Sequence, residues 1–397
     1  MFKPIDDYTK KIFDKKVLSR TTSLELIINE KCQNNCKYCY RTFKHNRSSL
    51  FSLEPENVKV IIDNFLNIIQ EDKSFFNDRT IELYGGDPML DYHHTREVFK
   101  IVDEYKPKLV TIPTNARLVS ELTDYDIQKL FEGIETKIRL SLSVDGMPSE
   151  NNRPLSKIGK MLGYNEKINY EKLNKVSKKY GYGFHPMLSF ERIDSWLETI
   201  KFFWEEMNVI PYLLEVRHSL SKEDSIKAVS ELMKIRDFYQ SIDEKAVEMS
   251  NTLRASQVPR GLGCSALTTM CIMPNGDIPF CHRLVDPPWV FGNVHYGMDI
   301  TKAISLTSIY NHRNLPECMI CPIRIYCSGQ CQGACYEYWG DPWIPIPSIC
   351  DFNRLKAYIF STRYEDWFNS LRNYNDKLKD SVTKAFGDDI VKRMMET

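Results

Sequence analysis

The chain has 397 residues, enough for about two or three domains, and its 42% hydrophobic and 27% charged residues are ordinary for a globular protein. Lys and Arg together number 53, as do Asp and Glu, so the net charge is zero, which argues against a broad basic surface for nucleic acid. No apolar run approaches the ~18 residues of a membrane helix, and the polar first residues lack a signal peptide. We therefore expect a cytoplasmic protein that binds neither nucleic acid nor a membrane.

Short apolar runs alternate with longer helical patterns between residues 24 and 217. The predicted strands are Leu24–Asn29, Thr80–Tyr84, Leu109–Pro113, Ile138–Val144, Phe184–Ser189 and Tyr212–Arg217. Between the first two, apolar residues from Val58 to Ile69 recur at helical spacing and predict a core-facing helix. This alternation is typical of an α/β fold with a parallel sheet, open or rolled into a partial barrel, whose active site forms where strands end. Residues 221–250 are predicted to form a charged, solvent-facing helix.

The twelve cysteines fall into two blocks, and the first block lies just after the first predicted strand. Cys32, Cys36 and Cys39 have the spacing Cys-x3-Cys-x2-Cys. Three thiolates can hold three irons of a four-iron, four-sulfur cluster and leave the fourth iron open for a ligand. Zinc usually has four protein ligands and no open coordination position. His45 is close in sequence to the three cysteines, but it lies in a different local context. We therefore predict a catalytic iron–sulfur site at this loop.

The segment from Cys32 to Cys39, with Tyr38 before the last cysteine, resembles the signature of the radical S-adenosylmethionine (radical SAM) enzymes. Further motifs follow at successive strand ends, and their residues are Gly85, Gly86, Asp87, Thr114, Asn115, Ser143, Asp145 and Arg153. The resemblance implies a partial (β/α)6 TIM-like barrel that binds SAM. It implies that the backbone of the Gly-Gly-Asp motif holds the SAM amino group, since glycine has no side chain to block a close ligand. Arg153 would pair with the SAM carboxylate, and Tyr38 would stack on the adenine.

The other nine cysteines lie between Cys264 and Cys350, and their spacing resembles the SPASM domain of radical SAM enzymes, which carries two auxiliary four-iron clusters. The resemblance implies one cluster on Cys318, Cys321, Cys327 and Cys350, and a second on Cys264, Cys271, Cys281 and Cys331. Cys335 is left as a buried free cysteine, although it and Cys271 can exchange roles. A zinc ribbon and disulfides are the alternatives, and a reducing cytosol disfavours disulfides.

These patterns predict five segments along the chain. They are a lead-in (1–22), a radical SAM partial barrel (23–220), a connecting helical segment (221–260), a SPASM domain (261–352) and a C-terminal helical segment (353–397). The expected cofactors are three four-iron clusters and SAM. Clusters are expected to replace much of the hydrophobic core in the cysteine-rich part.

The resemblance to SPASM proteins implies that the substrate is a peptide or a protein. The main hypothesis is a maturase that cleaves SAM reductively to a 5′-deoxyadenosyl radical, takes a hydrogen atom from a ribosomally made precursor peptide, and forms a thioether or carbon–carbon crosslink. The first alternative is anaerobic sulfatase maturation to formylglycine. In that branch an Asp base usually stands where this chain has His282, which is itself a candidate base. The second alternative is a non-catalytic iron–sulfur electron-transfer protein or a zinc-binding protein.

The expected partners are the precursor peptide and an electron donor such as flavodoxin or ferredoxin. Candidate substrate contacts at late strand ends are His185, Ser189, Glu215 and Arg217. Glu215 and Arg217 share one strand face, where a structural ion pair is the alternative. About twenty residues precede the first strand, too few for a leader-recognition domain. Leader recognition would then use another surface, use a separate protein, or be dispensable.

Overall fold

A computed structural model of the chain describes residues 7–40, 52–146, 152–211, 214–215, 219–242, 268–309, 315–324, 326–327, 329–364 and 375–396. The chain divides into two compact units. The first unit comprises Met1–Val144, Asn151–Phe184 and Ser265–Tyr310, and the second comprises Asp145–Glu150, His185–Cys264 and Asn311–Thr397. No helix in the described part of the chain combines the length and apolar character needed to cross a membrane.

The first unit is built on a six-stranded parallel sheet. Its strands are β1 (Ser23–Asn29), β2 (Thr80–Gly85), β3 (Leu109–Thr114), β4 (Ile138–Leu142), β5 (Gly183–Phe184) and β8 (Thr269–Ile272). Their order across the sheet is β5-β4-β3-β2-β1-β8, and every neighbouring pair is parallel. The helices of this unit are α1 (Asp7–Lys16), α2 (Pro55–Ile69), α3 (Tyr92–Asp103), α4 (Arg117–Glu121), α5 (Asp124–Phe131), α6 (Lys157–Met161), α7 (Tyr170–Tyr180) and α10 (Ile300–Ile309). The predicted α/β fold is confirmed.

The helix α2 illustrates why the sequence folds locally as predicted. Pro55 stands in the first turn, where its fixed φ suits a helix and its missing N–H is not needed. The helix buries one apolar stripe, consisting of Val58, Ile61, Ile62, Phe65, Leu66 and Ile69. Gln70 follows with φ 58°, a left-handed conformation that ends the helix. The predicted core-facing helix is therefore confirmed.

The two faces of the sheet differ in polarity because side chains alternate along each strand. One face is apolar and buried, and it carries Leu24, Leu26, Ile81, Leu83, Val110, Ile112, Leu140 and Leu142. On the other face, Glu82, Thr111 and Arg139 are register neighbours on β2, β3 and β4, and all three remain partly or fully exposed. A parallel sheet is normally apolar on both faces. The accessible polar row therefore indicates a face used for binding or chemistry.

The second unit is mainly helical. Its helices are α8 (Trp196–Glu205), α9 (Lys222–Ile242), α11 (Pro316–Met319), α12 (Gln332–Trp339), α13 (Pro347–Arg363), α14 (Asn375–Phe386) and α15 (Asp388–Glu396), and its strands β6 (Met187–Leu188) and β7 (Leu214–Glu215) form a parallel pair. A single core cluster joins α8, α9, α13, α14 and α15. In α9 the residues Val229, Leu232, Ile235 and Tyr239 belong to this core. The predicted solvent-facing helix is therefore a core helix.

The remaining strands β9 (Asp277–Pro279), β10 (Val290–Asn293) and β11 (Gly297–Met298) form a small antiparallel sheet in the first unit. One strand prediction differs from the structure. The predicted strand at 184–189 is two short strands, because Pro186 between them has no N–H for the ladder. The strand predicted over 212–217 is described only at Leu214–Glu215. The predicted domain boundaries stay predictions.

Replacing a buried residue of α2 tests this packing. Ile62 is fully buried, whereas Val60 on the same helix is 46% exposed. We expect Ile62→Ala to lower the free energy of unfolding by about 2–5 kcal/mol, because it removes buried methylenes and leaves a cavity. Val60→Ala should change it by less than about 0.5 kcal/mol. Urea unfolding of both variants measures the difference, and equal losses would contradict the packing described here.

Candidate active site

The first cysteine block lies at the carboxyl end of β1, where the sequence predicted it. The N–H of Cys39 donates to the carbonyl of Cys36 at 3.1 Å, which closes a turn between the two cysteines. Burial raises the pKa of the Cys32 thiol, and the nearby Asp87, Cys36 and Cys39 raise it further. The structure therefore brings the three thiols within electrostatic reach of one another.

The segment after β4 holds the cysteine loop through the main chain. Four hydrogen bonds join them: Asn35 N–H to Pro154 O at 2.8 Å, Lys37 N–H to Asn152 O at 3.0 Å, Ser156 N–H to Gln33 O at 2.7 Å, and Ser156 Oγ to Cys32 O at 2.7 Å. Bonds to the backbone fix the course of the loop without occupying the thiols. The thiol side of the loop is thus left for a cofactor.

Gly85 and Gly86 lie where the end of β2 meets the chain that leads from β1 to Cys32. A Cβ on Gly85 would lie 2.1 Å from the carbonyl oxygen of Asn29, and a Cβ on Gly86 would lie 2.2 Å from that of Lys31. The N–H of Gly86 donates to Asn29 O at 3.0 Å, and the N–H of Asp87 donates to Lys31 O at 2.9 Å. The glycines therefore have a packing reason that the sequence analysis did not foresee. They make room for the protein's own backbone.

Asp87 links the ends of β2 and β3 through its carboxylate. It is 1% exposed and accepts the Met89 N–H at 2.8 Å, the Asn115 N–H at 2.7 Å and the Thr114 hydroxyl at 3.0 Å. Burial raises the pKa of Asp87 to about 6, although these hydrogen bonds act in the opposite direction. The structure thus brings together the predicted residues of two motifs. The Asp87 carboxylate accepts its hydrogen bonds from groups of the protein itself.

Asn115, Arg153 and Tyr38 lie against the cysteine loop. Asn115 Nδ2 is 3.5 Å from Cys32 Sγ, and it also donates to Gln33 Oε1 at 2.8 Å. A guanidinium N–H of Arg153 is 4.0 Å from Cys36 Sγ, and the guanidinium carbon is 5.3 Å from the Tyr38 ring centroid. A buried cation and an aromatic ring beside three thiols fit an anionic cluster and a ligand that carries a carboxylate and an adenine.

Ser143 and Asp145 lie after β4, as predicted. The N–H of Ser143 donates to Thr114 O at 2.7 Å, which ties the end of β4 to the end of β3. Asp145 is fully buried and accepts the Met187 N–H at 3.0 Å. His185 and Ser189 are described in the second unit. The side chain of Glu215 and all of Arg217 lie outside the described residues.

Arg117 is a site residue that the sequence analysis missed. It is 1% exposed, and its Nε donates to Asn34 Oδ1 at 3.0 Å. Its terminal nitrogens donate to the carbonyls of Asn165, Glu166 and Arg153 at 2.7–3.1 Å. A buried arginine that is fully used by acceptors fixes the positions of these segments. The only signal in the sequence for a role of Arg117 was its position two residues after Asn115. This signal was not sufficient, because nothing in the local pattern distinguishes Arg117 from a surface arginine.

His282 lies on the polar face of the sheet. Its Nδ1 is 2.6 Å from Glu25 Oε1, and its ring stacks on Tyr84 with centroids 4.7 Å apart. Glu25 and Glu82 are direct register neighbours on β1 and β2. Burial and the adjacent Glu25 raise the pKa of Glu82 to about 7. Two adjacent carboxylates and a histidine in one partly buried group are typical of functional sites. The sequence predicted only His282 of these three residues.

The thiols of Cys318, Cys321, Cys327 and Cys350 lie together in the second unit, and we call them the four-thiol site. Burial and the three neighbouring thiols raise the pKa of Cys350 to about 12, and burial, Cys321 and Cys327 also raise that of Cys318. The set matches one ligand set implied by the sequence. In the described part of the chain, no three His, Cys, Asp or Glu side chains have the arrangement of a mononuclear metal site.

The other predicted ligands are distributed over both units. Cys271 is a buried residue of β8, packed against Ile27 and Met273, and Cys281 lies after β9. Cys331 immediately precedes α12 in the second unit. Cys264 lies outside the described residues. Cys335 is fully buried, and its thiol is 3.7 Å from Gln330 Oε1, which is the environment of a structural cysteine.

The described residues combine a parallel α/β sheet, a three-thiol loop at the end of β1 and tight glycine turns at the next strand end. The family model of the radical SAM superfamily matches residues 26–203, which contain the cysteine loop and every strand-end motif described above. Residues 26–203 therefore form a radical SAM domain.

Curated relatives agree with this assignment. The radical SAM cyclopropyl synthase TigE of Paramaledivibacter caminithermalis is 21% identical over 363 residues, which cover 84% of this chain and 72% of TigE. An S-adenosylmethionine-dependent nucleotide dehydratase of Fibrobacter sp. is 29% identical over 99 residues, which cover 25% of this chain and 29% of that protein. TigE is thus similar over most of this chain, and the dehydratase over a quarter of it.

Solved structures share the fold beyond the radical SAM domain. The structure of anSMEcpe with bound AdoMet has a TM-score of 0.63 at 16% identity, and the match covers 92% of this chain and 99% of that chain. Streptococcus suis SuiB bound to the precursor peptide SuiA has a TM-score of 0.53 at 15% identity, with 86% of this chain and 78% of that chain covered. The predicted fold class, a partial barrel followed by a cysteine-rich segment, is confirmed.

The raised pKa of Glu82 predicts a pH-dependent stability. The folded chain keeps the Glu82 proton up to pH about 7, while an unfolded chain releases it near the ordinary value of 4.5. Wild-type stability should therefore fall as pH rises across this window, by on the order of 3 kcal/mol from this group. Glu82→Gln stays neutral, so its stability relative to wild type should rise over the same window. Urea unfolding at pH 4.5 and pH 8 measures the change.

Glu97→Gln is the matched control, because Glu97 is 52% exposed. Its stability relative to wild type should be nearly constant between the two pH values. Parallel curves for the two variants would mean that Glu82 titrates as a surface carboxyl.

Proposed function

We propose that this chain is a radical SAM peptide maturase that takes a hydrogen atom from a ribosomally made precursor peptide and forms a thioether or carbon–carbon crosslink. The observation that carries the proposal is the gathering of Cys32, Cys36 and Cys39 at the end of β1, with Asn115 and Arg153 against them. Three thiolates leave one iron of a four-iron cluster without a protein ligand, which is the condition for binding SAM there.

The residues around the loop fit these cofactors. Cys32, Cys36 and Cys39 would hold the cluster, and Arg153 would pair with the SAM carboxylate beside Tyr38. When bound, the cluster and SAM would supply a 5′-deoxyadenosyl radical as the hydrogen-abstracting species. The chain's own contribution is to hold the thiol loop rigid through Ser156 and Arg117 and to keep the strand ends in place through Asp87. Such positioning is what a cofactor enzyme supplies to its cofactor.

A peptide substrate is supported by what the similar proteins bind. One anSMEcpe structure holds AdoMet and a Cp18Cys peptide, and SuiB holds its precursor peptide SuiA. The row of Glu82, Thr111 and Arg139, which is partly or fully exposed, would provide hydrogen-bonding groups for a peptide on the polar face of the sheet. We propose flavodoxin or ferredoxin as the class of electron donor.

Two auxiliary four-iron clusters complete the proposal. The four-thiol site would hold one of them, and its four thiols interact with one another as a cluster-binding set requires. Cys264, Cys271, Cys281 and Cys331 would hold the second. Cys335 is assigned no cluster, since its thiol is buried and directed to Gln330.

A second candidate function is formylglycine formation in sulfatases. It is favoured by one observation, the position of His282 Nδ1 2.6 Å from Glu25 Oε1, because a nearby carboxylate stabilises the protonated imidazole that forms when histidine acts as a base. The product formed with each substrate distinguishes the two functions.

Iron content tests the cluster assignments. Anaerobic reconstitution of the chain should give about twelve irons per chain, from three four-iron clusters. Replacing Cys32, Cys36 and Cys39 with Ala should remove about four irons and abolish the release of 5′-deoxyadenosine from SAM, while about eight irons remain. Cys335→Ala is the matched control, and it should keep all the iron. Bound zinc without SAM cleavage would contradict the proposal.

Substrate incubation tests the reaction class. The reconstituted chain, a reductant and SAM are incubated with the short peptides encoded beside its gene, and separately with a peptide that carries the sulfatase motif Cys-x-Pro-x-Arg. We expect the neighbouring peptide to lose the mass of two hydrogen atoms, with fragment ions that show a crosslink. Formylglycine in the sulfatase peptide, with the other peptide unchanged, would establish the second candidate instead.

A further inference from the structure

Three polar side chains of the second unit surround the four-thiol site, and no motif in the sequence accounts for them. Gln330 lies between Cys327 and Cys331 in sequence, Arg324 lies in the turn before Cys327, and Arg354 belongs to α13. All three are partly or fully buried, and each interacts with at least one of the four thiols. Their shared feature is that they present N–H groups or positive charge to sulfur.

The orientation of Gln330 is fixed by the backbone of Ile346. The Ile346 N–H donates to Gln330 Oε1 at 2.8 Å, and Gln330 Nε2 donates to the Ile346 carbonyl at 2.9 Å. If the side-chain amide of Gln330 were reversed, its NH2 group would face the Ile346 N–H and its oxygen would face the Ile346 carbonyl. Only the observed orientation therefore satisfies both backbone groups. The second N–H of Nε2 therefore faces Cys350 Sγ, at 3.1 Å. Gln330 is 9% exposed, so water competes little for this bond.

The two arginines bring positive charge to the same thiols. Arg354 follows Cys350 by one helical turn on α13, the spacing that places two side chains on one helix face. The guanidinium of Arg354 forms an ion pair with Asp351, and its charge also interacts with Cys350 and Cys321. The charge of Arg324 interacts with Cys318. The Nε atoms of both arginines are buried and meet no acceptor among the residues that the structure describes. A buried N–H without an acceptor is costly, and an anionic cluster at the four-thiol site would provide one.

We propose that Gln330, Arg324 and Arg354 raise the reduction potential of the cluster held by the four-thiol site. The inference rests on the proposed function, since it requires that cluster. Each added electron makes the cluster more negative, and both an N–H donor to sulfur and a nearby cation stabilise the more negative state. The four thiols leave no iron open, so this cluster carries electrons and does not bind substrate. A raised potential makes it an acceptor of electrons.

A redox titration followed by electron paramagnetic resonance measures the effect in the reconstituted full-length chain. The signal that disappears in Cys350→Ala identifies the cluster of the four-thiol site. Arg354→Gln removes a charge, and Gln330→Glu keeps an oxygen for the Ile346 N–H while it loses the donor to Cys350. We expect both variants to titrate at a lower midpoint potential than the unsubstituted chain.

Two controls separate this effect from a structural one. Arg354→Lys keeps the charge and should restore most of the midpoint. Arg363→Gln removes a cation of similar exposure from the same helix, 29% against 25%, and should leave the midpoint unchanged. An unchanged midpoint in Arg354→Gln and Gln330→Glu at full iron content would overturn this inference alone. Absence of the cluster from the unsubstituted chain would overturn the proposed function as well.

Discussion

The position of the cysteine loop depends on direct backbone contact between the end of β2 and the chain that leads from β1 to Cys32. Gly86 lies so close to Lys31 that any Cβ would overlap its carbonyl oxygen. Two N–H groups just after β2, from Gly86 and Asp87, donate to the carbonyls of Asn29 and Lys31 across this contact. The loop therefore begins from a backbone whose course is determined by its neighbouring strand. A larger residue at Gly86 would displace the first cysteine and, with it, the geometry of the three thiols.

Hydrogen bonds between polar groups connect this backbone contact to the other strand ends. Asp87 connects β2 to β3 through Thr114 and Asn115, and Asn115 returns to Cys32 and Gln33. Such a network is stable only if each buried group finds a partner, because an unsatisfied one costs more than a satisfied one contributes. The thiols are thus positioned mainly by hydrogen bonds to backbone and side chains. Apolar packing stabilises the opposite face of the sheet.

The sequence predicted most of the features whose cause is local. The spacing of Cys32, Cys36 and Cys39, the strand-end motifs and the apolar stripe of α2 are all readable within a few residues. Features that depend on distant segments were missed or misread. The strand β8 was hidden because a four-residue strand beside β1 has no signal of its own, and α9 was read as exposed because its charged residues outweigh its buried stripe. Glu25 and Glu82 are ordinary residues of alternating strands until the register places them side by side.

The cysteine loop and the four-thiol site differ in the groups that surround their thiols. This difference agrees with the different roles that we propose for them. At the cysteine loop there are three thiols, and Arg153 lies beside Tyr38, so that charge and an aromatic surface are available to a ligand as well as to the thiols. At the four-thiol site there is one thiol for each iron of the proposed cluster, and Gln330 contacts Ile346, Cys335 and Cys350. A side chain held in this way does not need to reorient, so it stabilises the negative charge that an added electron brings. For the same reason it adapts poorly to a ligand that changes. Under the proposed function, the chain would combine a reactive cluster with an electron-accepting one by surrounding similar thiols with different partners.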